Sequence, residues 1–174
     1  MSKPPPIPAI REKVFSFTEQ NDDCVKRVLL GYGSKNHDLK LTQLAIGLAF
    51  VAHPETDEAK LALINMFGFT FGWLMQLGVK MPYNRIHFER ERQEKLFQAR
   101  KFLFTCSSPV ASGSRKLRVL IEEIGEVAEC IDKLEFNTTA KAPAFVRQWK
   151  EELIKELVQV AAVLCAWLES LEAK

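Results

Sequence analysis

The apolar positions of this chain recur at helical spacing in several blocks. Residues at i, i+3, i+4 and i+7 share one face of a helix, and this spacing predicts helices over residues 11–31, 40–52, 56–78, 86–102, 115–135 and 143–172. No alternating pattern typical of a strand competes with these blocks. The sequence therefore predicts an all-α protein built as a helical bundle.

Proline-rich and polar stretches mark the breaks between the helices. MSKPPPIPAI predicts a disordered tail over residues 1–10, because proline donates no amide hydrogen bond and restricts the backbone. MPYN at 81–84, TCSSPVASGS and FNTTAKAP interrupt the later helices. These breaks predict an N-terminal helical region over 11–80, whose role the sequence does not indicate, and a second helical region over 84–174.

Composition narrows the function classes. Lys and Arg total 24 against 22 Asp and Glu, so no broad basic surface is expected and nucleic acid is not an expected partner. The four cysteines are widely spaced, form no CxxC pair and accompany no recognisable secretory signal. We therefore expect reduced thiols and a cytoplasmic protein.

Residues 61–79 form an uncharged run nearly long enough to cross a bilayer, with a GxxxG spacing at Gly68 and Gly72. Asn65, Thr70 and Gln76 interrupt the run, and charged residues flank it. The pattern favours a buried or subunit-facing helix, so no membrane partner is expected.

The helix predicted over 115–135 separates apolar from acidic residues. Its acidic side carries Glu122, Glu123, Glu126 and Glu129, a pattern equally typical of a solvated surface. The last helix favours a binding site over a solvated surface, because Glu156 begins a segment that is apolar on every face. A carboxylate buried there is costly unless a cation neutralises it.

The register of the two helices predicts that these acids meet. Glu123 precedes Glu135 by 12 residues and Glu156 follows Pro143 by 13, so in an antiparallel pair their levels differ by about 1.5 Å. Like charges at that separation take up protons or bind cations. Carboxylate oxygens without His or Cys suit Mg²⁺ or Mn²⁺.

EEIGE followed by KELVQV resembles the MazG-like all-α nucleoside triphosphate pyrophosphohydrolases, over roughly residues 86–172. That family carries EExxE on one helix and ExxD on the next. The resemblance implies metal ligands at Glu122, Glu123, Glu126 and Glu156, with Mg²⁺ or Mn²⁺ as the cofactor. It implies cleavage of a nucleoside triphosphate between its α and β phosphorus atoms, with Glu122 or Glu123 as the base that accepts the proton of the attacking water.

The chain departs from this pattern at Gln159, where the family has an aspartate. The amide oxygen can serve as a fifth metal ligand but brings no charge. Glu129, one turn beyond Glu126, is a candidate to supply the missing charge. The departure keeps open an alternative, a catalytically silent nucleotide-binding or helical assembly module.

Candidates for substrate contact lie near the motif. Arg115, Lys116, Arg118 and Lys155 suit phosphate groups, although each also fits an ordinary surface charge. Trp149, Trp167 and Phe104 suit a base pocket, although aromatic residues at helical spacing are also typical of a core.

Apolar surface gives a separate reason to expect association between copies of the chain. Residues 61–73 and 157–168 carry more apolar surface than one small bundle readily covers. The resemblance likewise implies a dimer or tetramer, so we expect a homo-oligomer.

Overall fold

The computed structural model describes residues 22, 23, 26, 36–52, 56–138 and 143–172. The helices with described bounds are α1 (His37–Val51), α2 (Asp57–Gln76), α3 (Pro82–Gln98), α4 (Gly113–Thr138) and α5 (Pro143–Glu172). These residues contain no strand, which confirms the all-α prediction for the described part of the chain. The predicted tail, and most of the helix predicted over 11–31, lie outside the described residues.

The main difference from the predicted bounds lies at the start of α3. We expected MPYN to interrupt the chain, but Pro82 occupies the first turn of α3, where its missing N–H is not needed. The break comes slightly earlier, where Gly78 has a φ of 90°. The Gly78 N–H donates to the Met75 carbonyl at 2.9 Å and the Val79 N–H to the Leu74 carbonyl at 3.1 Å, which ends α2 in a Schellman motif.

Helix α5 is the centre of the bundle. Helices α2, α3 and α4 pack against it, and α1 packs against α2 and α4. Every side chain from 160 to 170 is buried, including the fully buried Trp167. Because α1 and α2 share one hydrophobic core with α4 and α5, the two predicted helical regions pack together.

The uncharged run at 61–79 falls mostly on α2. Most of its side chains are buried, including Phe67, Trp73 and Leu74, although Leu61 is exposed. Among the described residues, no helix is long and apolar enough to cross a membrane. The apolar character of α2 is thus accounted for largely by packing against α1 and α5.

A buried ion pair ties α3 to α5. Arg90 Nη2 lies 2.8 Å from Glu169 Oε2, and the two side chains are 1% and 8% exposed. The Cys165 thiol donates to the other Glu169 oxygen at 3.4 Å. Removing one partner of such a pair strands a buried charge, so it sets which side of α3 faces the core.

Arg100 offers a test of how α3 ends. Among the described residues, Arg100 is the non-glycine residue that has a positive φ, 57°. The φ of its neighbour Ala99 is −75°. The left-handed conformation costs an L-residue about 1 kcal/mol relative to glycine. We expect Arg100→Gly to raise the free energy of unfolding by about that amount in urea titrations. Ala99→Gly is the matched control and should give no gain; an Arg100→Gly protein no more stable than wild type would contradict this account.

Candidate metal centre

Three glutamates meet between α4 and α5. Glu123 and Glu126 on α4 and Glu156 on α5 each place one carboxylate oxygen so that all lie within 4.8 Å of one another. The residues between the helices, 139–142, are so few that α5 returns antiparallel along α4. The pairing of Glu123 with Glu156 is the one that the register arithmetic predicted.

Glu156 has two hydrogen-bond donors on its own helix, one of them a cation. Its side chain is buried, with 5% exposed, and Lys155 Nζ donates to Oε1 at 2.8 Å. The Gln159 amide donates to Oε2. The hydrogen bond from Lys155 is the largest cause of that lysine's raised pKa. In the absence of metal, Glu156 is therefore stabilised by one cation and one amide.

The surroundings of Glu123 and Glu126 on α4 disfavour the charged forms of their carboxyl groups. Burial raises the pKa of Glu123 to about 7, and the charges of Glu126 and Glu156 add to the rise. The Glu123 Oε2 atom is buried without a hydrogen-bond partner among the described residues. Glu126 is exposed, and its pKa is raised first by a hydrogen bond with Glu156. Burial and repulsion among the three carboxylates therefore favour the protonated forms of Glu123 and Glu126 in the absence of a cation.

The donor set fits a hard divalent cation. Three carboxylates converge without histidine or cysteine, and one buried oxygen has no other partner. Oxygen ligands of this kind suit Mg²⁺ and Mn²⁺, and a cation would replace the shared proton as the neutralising charge. The identity of the ion stays a proposal.

The structure distributes the predicted ligands unequally. Glu122 is exposed and lies outside the cluster of three, although its charge contributes to the raised pKa of Glu123. Gln159 borders the cluster through its hydrogen bond to Glu156. Glu129, considered as a source of the missing charge, is exposed and paired with Lys133.

The predicted basic residues have different surroundings. Arg115 and Arg118 are exposed, and the Arg115 guanidinium lies 6.0 Å from the centre of the Phe104 ring. Lys116 is buried and donates to the Ser170 hydroxyl. Lys155 lies directly on the cluster, 2.8 Å from Glu156 and 3.5 Å from Glu152. Lys155 thus forms an ion pair with Glu156, one of the three acids.

The three aromatic candidates for a base pocket also differ in how deeply they are buried. Trp167 is fully buried in the core. Phe104 and Trp149 are half-buried beside the core, and Lys133 lies over the Trp149 ring at 4.8 Å. Trp167 therefore contributes to packing, which is the ordinary role that its sequence position also suggested.

Sequence reasoning missed two charged residues on α3 that act on the cluster. The charge of Glu89 contributes to the raised pKa of Glu123, and the charge of Glu123 contributes to the raised pKa of Arg92, after the hydrogen bond between Arg92 and Glu89. Their spacing of three residues predicts an ion pair along one helix. Their electrostatic effect on Glu123 follows only from the tertiary packing, so no signal in the sequence predicts it.

Comparison with models of protein families, with curated proteins and with solved structures finds no match for this chain. The resemblance to the MazG-like enzymes therefore depends on the motif residues alone. The same motif residues are the basis of the function proposed below.

The raised pKa of Glu123 predicts how stability changes with pH. Because its pKa is about 7 in the folded chain and ordinarily 4.5, the folded state binds more protons than the unfolded state between these values. The free energy of unfolding of the metal-free protein should therefore fall between pH 4.5 and 7, by about 1–2 kcal/mol after allowance for partial exposure. Thermal and urea unfolding in EDTA would measure the fall.

Glu123→Gln should flatten this dependence, because it removes the titrating group. Glu151→Gln changes an exposed carboxylate on α5 and serves as the matched control. An unchanged slope in Glu123→Gln would show that Glu123 does not titrate in this range.

Gln159→Asp tests whether position 159 belongs to the metal centre. The change replaces the amide that donates to Glu156 with a fourth carboxylate. Added repulsion should lower the melting temperature without metal, and added charge should tighten Mn²⁺ binding by about tenfold. Calorimetric titration and melting curves would measure both, with Gln148→Asp, an exposed site on the same helix, as control. A lower melting temperature with unchanged Mn²⁺ affinity would exclude position 159 from the centre.

Proposed function

We propose that this protein is a metal-dependent nucleoside triphosphate pyrophosphohydrolase. It cleaves the bond between the α and β phosphates and releases a nucleoside monophosphate and pyrophosphate. The observation that carries the proposal is the cluster of Glu123, Glu126 and Glu156. These residues occupy three of the acidic positions in the EExxE and ExxD pattern that the chain resembles.

The chemistry requires neutralisation of the triphosphate and a water made nucleophilic. A divalent cation supplies both when bound, because it offsets phosphate charge and acidifies water. Glu126 and Glu156 would hold the cation, since their carboxylate oxygens lie within 4.8 Å of one another and of that of Glu123. The attacking water forms the new P–O bond as the bridging P–O bond breaks, and pyrophosphate leaves.

Glu123 is the candidate to accept the proton of the attacking water. Its Oε2 atom has no hydrogen-bond partner among the described residues, and its pKa of about 7 is close to the working pH of a general base. Glu122, the other candidate, is exposed and outside the cluster. These surroundings favour Glu123 for the role.

Lys155 would have different partners in the metal-free and substrate-bound states. It donates to Glu156 Oε1, the same carboxylate that the cation binds. With a cation bound at the cluster, Glu156 would no longer depend on Lys155 for neutralisation. The ammonium group then becomes available to contact a phosphate oxygen of the triphosphate.

A second candidate function is a nucleotide-binding module without turnover. The observation that favours it is the hydrogen bond from the Gln159 amide to Glu156, at the position where the resembled family has a metal-binding aspartate. Such a module would bind metal and nucleotide but release no pyrophosphate. The assay below separates the two functions.

Association between copies of the chain also stays a proposal. The apolar stretch 157–168 is buried within the chain, so it supplies little of the surface that we expected to drive assembly. On α1 and α2, Ile46, Phe50 and Leu61 remain exposed. We place a homo-oligomeric enzyme of this kind in the cytoplasm, where its nucleotide substrates are found.

Glu126→Gln and Glu156→Gln should each lower activity at least about a hundredfold, because each removes a charged ligand from the cation that organises the phosphates. The assay follows pyrophosphate release from canonical and modified nucleoside triphosphates with Mg²⁺ or Mn²⁺. Both variants should fold, and their metal-free melting temperatures should equal or exceed that of wild type, since repulsion is relieved. Glu151→Gln should stay within about threefold of wild type. Full activity of either cluster variant would exclude the proposed centre.

A further inference from the structure

Lys40 is a buried cation without a carboxylate partner. The residue is 1% exposed, and its ammonium group donates to the side-chain oxygen of Gln76 on α2. The ammonium nitrogen also lies 5.4 Å from the centre of the Trp73 ring. Burial lowers the pKa of this group to about 8, and no carboxylate among the described residues raises it. The charge is costly there, because one neutral acceptor and a ring face replace only part of its hydration.

Two further polar groups beside Lys40 have no partner. The His37 ring stacks on the Trp73 ring, with 5.7 Å between the centres and 22° between the planes. His37 Nδ1 and Trp73 Nε1 are both buried without a hydrogen-bond partner among the described residues. Trp73 is fully buried, and its indole nitrogen can only donate. His37, Lys40, Trp73 and Gln76, the Lys40 cluster, therefore lack an acceptor for at least one buried N–H group.

The first turn of α1 adds backbone donors to the Lys40 cluster. Helix α1 begins at His37, so His37 and Lys40 lie one turn apart on the same side of it. The first N–H groups of a helix have no acceptor within the helix, and the Asn36 side chain does not cap them. The partial positive charge of this helix end adds to that of the ammonium group. Helix α2 differs, because the Thr56 side chain accepts from the Ala59 N–H at 3.1 Å.

These surroundings suit an anion. Asp38, the acidic residue of the first turn, is exposed, and among the described residues it forms no ion pair with Lys40. His37 and Gln76 are half-buried, so the Lys40 cluster borders solvent at these two side chains. An oxyanion that takes the place of the Gln76 oxygen would give Lys40 a charged acceptor. A hydrogen bond between two charged groups is about twice as strong as a neutral one.

We propose that a small oxyanion, a phosphate or a carboxylate group, binds at the start of α1, with Lys40 as its cationic ligand and the Trp73 indole N–H as a second donor. The site uses none of the three glutamates, and the inference does not depend on the proposed function. Its ordinary alternative is a lysine that remains in the core with Gln76 as its hydrogen-bond partner and binds no anion.

The test follows binding of inorganic phosphate and of acetate to the full chain in EDTA, so that no divalent cation holds an anion at the three glutamates. At equal ionic strength, the oxyanion that fits the site should raise the melting temperature more than chloride does, because it binds the folded chain. It should also shift the indole N–H signal of Trp73 in NMR spectra, because that group gains an acceptor. The absence of this signal in Trp73→Phe assigns it.

Lys40→Met keeps an unbranched side chain and removes its charge, and should weaken oxyanion binding about tenfold or more. Lys60→Met is the matched control. Lys60 is the fourth residue of α2, as Lys40 is of α1, but it is half-buried and the N-terminus of its helix is capped by Thr56. Loss of Lys60 should change the affinity by less than about twofold, because the charge of a lysine away from the site is screened by salt.

Binding that weakens in Lys40→Met, together with a shifted Trp73 signal in wild type, would support the site, and the tighter of the two anions would identify its chemistry. No binding of either anion by wild type, equal affinity in Lys40→Met, or equal stabilisation by chloride would overturn it. An unshifted Trp73 signal in wild type saturated with the anion would also overturn it. That last measurement decides the question even where Lys40→Met fails to fold.

Discussion

A carboxylate at the start of a helical segment that is buried on nearly every side is the constraint around which this structure is arranged. Helix α5 fills the centre of the bundle, and Glu156 stands where its buried segment begins, with 5% of the residue exposed. Water cannot stabilise that charge well, so the protein has to supply partners. Lys155 and Gln159 are those partners on α5, and each donates a hydrogen bond to the Glu156 carboxylate.

The consequence is a centre whose charge is poorly balanced in the metal-free chain. Lys155 forms an ion pair with Glu156, whereas the pKa values of Glu123 and Glu126 on α4 are raised. A divalent cation would offset this repulsion. Stability and proton uptake are therefore linked at one place, and a change at any of the three acids should alter both properties.

Helix α3 contributes charge to this centre from outside the α4 and α5 pair. The side of α3 that faces the core is held by the ion pair between Arg90 and Glu169. Both side chains are buried, so removal of either one would leave an unpaired buried charge. Its other charged side carries Glu89 and Arg92, both coupled to Glu123. Charged residues on α3 therefore contribute to the electrostatic field at Glu123, in addition to those on α4 and α5.

The sequence by itself determined the helical class, the bounds of α5 and the approach of Glu123 to Glu156, because apolar spacing and residue counts depend only on local geometry. It also singled out Gln159 as the unusual position, but not its donation of a hydrogen bond to Glu156. The exclusion of Glu122 from the cluster depends on the rotation of α4, which is set by packing. The positions of Glu89 and Arg92 depend on how α3 packs against α5. That packing includes the ion pair between Arg90 and Glu169, which lie 79 positions apart in the chain. Such a contact leaves no periodic signal in the sequence, so only the tertiary structure could establish it.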